Sequence, residues 1–231
     1  MATVKNLKIE RKFGKKNTQL VSLLMVGLIS IALVSAAWLR VSGRILTQRL
    51  SQDGPVLLSV PPLAQSQGTS CGEAVIAMAY NHAYPAAPIS ETDVIQFARA
   101  NGYFTEDEPP YTSPANMVKI TRNYTSDYDS GNVRSADEGL GLLISKLKEG
   151  DPVIIDVLTY LDDPSSDAHF ILVTGVSPDP NEPGLITIYY NNPLTGRGES
   201  APWDGENGIW HAWQNNPDPG GYGWWLVIPK Q

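Results

Sequence analysis

Two hydrophobic periods divide the chain. Between residues 70 and 150, apolar residues recur at helical spacing in four stretches, each opened by a serine. Beyond residue 150 they gather into short β-branched and aromatic runs separated by Pro, Gly, Asn and Asp. The first helical stretch, "SCGEAVIAMAYNHA", has Ser70 at the N-cap and Glu73 three residues on, a capping box that puts Cys71 at the first helical position. Its run from Ala74 to Ala79 leaves no polar face, so it predicts a central helix buried nearly all round. "SETDVIQFARANG" repeats the pattern with Ser90 and Asp93 and stops at Gly102, and "SPANMVKITRNY" predicts a shorter helix. "SADEGLGLLISKLKEG" predicts another, with Ser135 and Glu138 as its box and Gly150 as its stop. "PVIIDVLTY", "HFILVTGVS", "GLITIYYNN" and "GWWLVI" predict strands. Helices first and strands after predict an α+β domain whose Cys-bearing helix packs on an antiparallel sheet.

Upstream, the run from Asn17 to Leu39 carries no charge and is apolar from Leu20 onward. At ~1.5 Å per helical residue it is long enough to cross a ~30 Å hydrocarbon core. Lys5, Lys8, Arg11, Lys12, Lys15 and Lys16 precede it and outnumber Arg40, Arg44 and Arg49 after it, which places the N-terminus in the cytoplasm. The chain thus divides into a basic cytoplasmic segment (1–19), a transmembrane signal-anchor (20–39), a polar linker (40–54) and a folded domain (55–231). The last opens with the proline-rich, extended "PVLLSVPPLAQ". A cleaved signal peptide is the competing account, since Ser35-Ala36-Ala37 offers small residues for processing, but its apolar region would exceed the usual ~7–15 residues. Both accounts place the domain outside the cytoplasm, bound to the cell membrane through one helix or secreted.

Residues 1–50 hold nine Lys or Arg against one acid and the remainder eight against 23, so the first part is near +8 and the rest near −15. No basic stripe follows residue 50, which argues against nucleic acid as a partner. Cys71 is the only cysteine, so no intrachain disulfide can form, and the thiol is either reactive or buried and inert.

Its position at a helix start predicts a reactive thiol, because the helix dipole and the unpaired N–H groups of the first turn favour thiolate. Amide attack also needs a base, and imidazole has a suitable pKa. His169 opens a strand after the polar loop "LDDPSSDA" and is placed to reach a cleft. His82 is about 16 Å along the helix from Cys71, too far to assist, and His211 sits in a Trp-rich segment. Asn191 and Asn192 end a strand and alternate in face; Asn192, just before Pro193, is the preferred partner to orient the imidazole. Gln65 is the preferred side-chain donor to an oxyanion beside the Cys71 N–H, with Gln67 second.

"QSQGTSCGEA", "PVIIDV", "HFILVTGV" and "YYNNP", in that order, resemble the papain-like cysteine peptidases that cut bacterial leader peptides after double glycine, peptidase family C thirty-nine, and more closely their stand-alone relatives. The resemblance covers Val56 to Leu194. It implies a papain-like fold, peptide-bond hydrolysis without a cofactor, Cys71 as nucleophile, His169 as general base, Asn192 as orienting residue and Gln65 as oxyanion donor. Asn192 stands where that family commonly has aspartate, and Glu73 where it has proline or a small apolar residue. The chain carries no Walker motif, so double-glycine specificity does not follow.

Other readings are a cell-wall peptide hydrolase, a transglutaminase-like acyl transferase, and a non-catalytic papain-like binding module. "DYDSGNVRSADE" (127–138) has acids at positions 1, 3 and 12 of a calcium loop but lacks the glycine at position 6, and reads as a solvated loop before a capped helix. No metal is expected. Five of the six tryptophans fall between Trp203 and Trp225 and read as core and rim packing.

Overall fold

The computed structural model describes residues 50, 54–104, 111–179, 182 and 184–231. The basic segment, the expected span at 20–39 and nearly all of the linker lie outside the described residues. Among the described residues no helix is long and apolar enough to cross a membrane.

The four helices expected between residues 70 and 150 form as α1 (Cys71–Ala83), α2 (Glu91–Ala100), α3 (Pro114–Tyr124) and α4 (Ala136–Glu149). Ser90 and Asp93 make the full capping box of α2. Ser113 caps α3 with Pro114 in its first turn, where the missing N–H costs nothing. Ser135 accepts the Glu138 N–H to start α4, and Gly150 ends it in the left-handed conformation that side chains disfavour.

The box at the start of α1 does not form. Ser70 makes no cap hydrogen bond to the helix. Its hydroxyl instead donates to Glu91 Oε1 at 2.6 Å and accepts the Gln67 N–H at 3.1 Å. Glu73 turns inward, fully buried, and accepts a short hydrogen bond from Thr112 Oγ1. Tertiary partners have won both residues from the local motif.

Among the described residues seven antiparallel strands make one sheet: β1 (Val56–Leu57), β2 (Asp129–Asn132), β3 (Val153–Leu158), β4 (Ala168–Pro178), β5 (Ile186–Asn192), β6 (Arg197–Pro202) and β7 (Trp224–Val227). The order is β2-β7-β3-β4-β5-β6, with β1 also pairing on β4. Alternation along β3 and β4 sends Ile155, Val157, Ile171 and Val173 into a core shared with Leu143 and Leu147 of α4. Ile154, Phe170 and Leu172 point the other way, into a core shared with Val75 and Ile76 of α1, Val94 of α2 and Met117 of α3. Helices on both faces explain why β3 is buried at every position and reads as a continuous apolar run.

Four elements go beyond the expected set, the first being the two-residue β1 within the extended entry segment. β2 forms from the polar "DSGN" at the sheet edge, inside the stretch that resembles a calcium loop. β6 forms from "RGESAP" at the opposite edge, and a short helix α5 (Ile209–Asn215) carries the tryptophan-rich segment. Trp203 and Trp213 are buried, and Trp203, Trp210, Trp213 and Tyr222 make tilted or edge-to-face contacts. That is packing of the kind expected for this cluster.

Candidate active site

The start of α1 lies against the start of β4. The Phe170 ring packs on Gly72, next to Cys71. A cavity of about 430 Å³ opens here, with Gln65, Cys71, Thr112, His169, Leu194 and Asp218 in its wall. His169 also borders a second cavity of about 280 Å³, shared with Asn192 and Glu199.

His169 and Asn192 come from neighbouring strands, and His169 Nε2 lies 2.9 Å from Asn192 Oδ1. The direction of this bond follows from what else the carboxamide does. Its oxygen accepts the Leu194 N–H at 3.0 Å and its nitrogen donates to Glu199 Oε2 at 3.0 Å. With the oxygen end so fixed, Nε2 carries the hydrogen and Nδ1 is a bare acceptor. Burial lowers the imidazole pKa, while Asn192 and the charge of Glu199 raise it in part. The ring therefore rests neutral and ready to take a proton.

Asn191 is separated from this group. Its side chain donates to Val60 O at 2.9 Å and lies 3.7 Å from the Met78 sulfur. Gln65 lies in the cavity wall, its Nε2 donating one hydrogen to Gln67 O at 2.8 Å and keeping a second. Gln67 faces elsewhere, its Oε1 accepting from Arg99. The backbone of the Gln65 loop is pinned from two sides: the Gln65 N–H donates to Pro193 O at 2.8 Å, and the Ser66 N–H to both Glu91 oxygens at 2.9 and 3.1 Å. His82 Nε2 meets Gly150 O at 2.9 Å, joining the ends of α1 and α4, and His211 contacts Asn215 within α5. Neither lies in the cavity wall.

The electrostatics of Cys71 differ from the sequence expectation. Burial pushes the thiol up to about 12, and the charges of Glu73 and Asp156 add to it. Backbone hydrogen bonds from Phe170 and Gly72 favour the thiolate but do not offset these effects. The helix start alone does not ionise the sulfur. Among the described residues no hydrogen bond joins Cys71 to His169; the two share a cavity wall.

Asp156, Asp218, Glu91 and Glu199 belong to this neighbourhood and were not singled out from the sequence. Asp156 is a lone carboxyl within "PVIIDV". It sits fully buried in β3 opposite Phe170, with neither oxygen accepting a hydrogen bond from a described donor. Burial raises its pKa well above the carboxylate range, and the neighbouring Asp218 raises it further. Asp156 thus holds a proton that Asp218 can accept. Among the described residues no group of three or more His, Cys, Asp or Glu could hold a metal ion. The chain matches no family model, and no curated protein matches it in sequence.

Proposed function

We propose that this chain is a papain-like cysteine peptidase, cutting peptide bonds outside the cytoplasm from a domain held to the membrane by its N-terminal span. The reading is carried by the 2.9 Å contact of His169 Nε2 with Asn192 Oδ1, which makes Nδ1 the acceptor nitrogen of a ring that shares a cavity wall with Cys71. An α+β arrangement with the cysteine at the start of a buried helix against an antiparallel sheet is what a papain-like fold requires.

In this mechanism Nδ1 takes the Cys71 proton as sulfur bonds to the peptide carbonyl carbon. The carbonyl oxygen becomes an oxyanion, held by the Cys71 N–H and the remaining hydrogen of Gln65 Nε2; such a donor is typically worth about 3 kcal/mol. The C–N bond breaks, the amine leaves with the proton from His169, and a thioester remains. Water, losing a proton to the same imidazole, then releases the acid and restores the thiol. No step calls for a cofactor. Because the resting thiol is neutral, sulfur must lose its proton as it attacks.

Full-length protein incubated with a diverse peptide library should give new termini detectable by mass spectrometry, lost in Cys71→Ala and His169→Ala. No cleavage of any peptide, or cleavage that survives Cys71→Ala, overturns the proposal. New amide bonds in the products would indicate acyl transfer in place of hydrolysis. A non-catalytic module is the second reading, favoured by the raised thiol pKa and the lack of a Cys71–His169 hydrogen bond.

A further inference from the structure

Asn192 orients the imidazole and accepts its Nε2 hydrogen but, as a carboxamide, brings no net negative charge to the imidazolium that forms when His169 takes a proton. A carboxylate stands directly behind it. The hairpin of β5 and β6 pairs Asn192 with Arg197 and Tyr190 with Glu199, so Glu199 falls two positions along from Asn192 on the same face. From there Glu199 Oε2 accepts from Asn192 Nδ2 at 3.0 Å, while Glu199 Oε1 accepts from Thr195 Oγ1 at 2.6 Å. Both carboxylate oxygens are held, and the chain His169–Asn192–Glu199 is continuous. We propose that Glu199 is a positioning residue for His169, selecting through Asn192 the tautomer with Nδ1 bare and lending the ring the negative charge that the carboxamide lacks.

The proposal rests on the catalytic reading for its consequence but not for its geometry. Burial works against ionisation of Glu199, yet hydrogen bonds from Thr195, Asn192 and Tyr190, with the charge of His169, hold its pKa below the usual value. It is therefore an anion at neutral pH. The other titratable groups in the walls of the two cavities that His169 borders are Cys71 on α1, Tyr111 before α3, Tyr160, Asp162 and Asp167 on the β3–β4 loop, Tyr190 on β5 and Asp218 after α5. Glu199 is the one whose charge raises the imidazole pKa. A merely structural Glu199 would brace the turn through Thr195 and leave the ring's titration alone.

Glu199→Gln keeps size and can still accept from Thr195 while removing the charge. The chain has three histidines, so the His169 ring can be followed by NMR titration of full-length protein in detergent, with His82 and His211 as internal references. In Glu199→Gln the His169 pKa is expected to fall below that of the wild type, and kcat/KM on a cleaved peptide to drop about tenfold, the rate equivalent of one pKa unit. Asn192→Asp added to Glu199→Gln restores a carboxylate beside the ring and should recover both. Asn192→Asp alone sets two carboxylates against each other and should not match the double variant. An unshifted His169 pKa in Glu199→Gln, or an equal loss in the single and double variants, overturns the proposal. If the wild type cuts no peptide the catalytic reading fails, while the titration still decides the role of Glu199.

Discussion

The side chains of Ser70 and Glu91 meet in a 2.6 Å hydrogen bond across 21 residues of sequence. Glu91 is buried there and also accepts the Ser66 N–H, so one carboxylate ties the start of α1 to the Gln65 loop. Ser70→Ala removes a buried donor from a charged acceptor and should cost about 1–3 kcal/mol. Ser90→Ala, which removes only an exposed cap, should cost about 1 kcal/mol. Urea titrations of the two variants compare them; equal costs would mean that Ser70 acts as an ordinary cap.

Glu73 supplies a pH signature. Burial raises its pKa to about 7, only partly opposed by the Thr112 hydrogen bond. The folded state thus binds the Glu73 proton more tightly than the unfolded chain, whose carboxyl titrates near its ordinary value of 4.5. Stability from this group is present in acid, falls as pH rises from about 4.5 to about 7, and stays low above that. Glu73→Gln should therefore stabilise the protein more at pH 8 than at pH 5, by an increment on the order of 1–3 kcal/mol. Thermal melts at the two pH values check this, and an increment that does not change with pH would contradict it.

Much of this was legible in the sequence where local chemistry decides. Serine caps, the Gly150 stop and β-branched runs place α2, α3, α4 and the central strands, because propensity and burial agree there. The motif at Ser70 has the same form as that at Ser135 but fails, since distant groups, Glu91 and Thr112, offer its members better bonds. β2 and β6 lack an apolar signature because edge strands need bury only one side, and α5 starts at Gly208 without a side-chain cap. His169 and Asn192 could be picked out by their strand-end positions. Glu199 could not, because only the register of the β5–β6 hairpin brings it to Asn192.

Two glycines should respond in opposite directions to alanine. Gly196 has φ +66 in the turn after β5, and a Cβ there would lie 2.7 Å from Ala64 Cβ, beside the Gln65 loop. Gly196→Ala should cost about 1–3 kcal/mol through backbone strain and crowding. Gly141, within α4 and with nothing in the way of a Cβ, should gain about 0.5–1 kcal/mol on substitution by alanine. Denaturant midpoints test both, and a stabilising Gly196→Ala would mean that the Gln65 loop is not held against this turn.

Asp156 should matter to packing more than to the thiol. Burial and the neighbouring Asp218 keep its carboxyl protonated, so it presents no charge to Cys71 at neutral pH. Asp156→Asn keeps the shape and should leave alkylation of Cys71 at pH 8 unchanged. A faster rate would show that Asp156 is ionised beside the sulfur.

The most direct measurement is the rate of Cys71 alkylation by iodoacetamide against pH, in full-length wild type and in His169→Ala. If sulfur and imidazole exchange a proton, the wild type should react at neutral pH at a rate that His169→Ala sharply reduces. Identical profiles for both proteins, rising only as pH nears the buried thiol's value of about 12, would contradict the account.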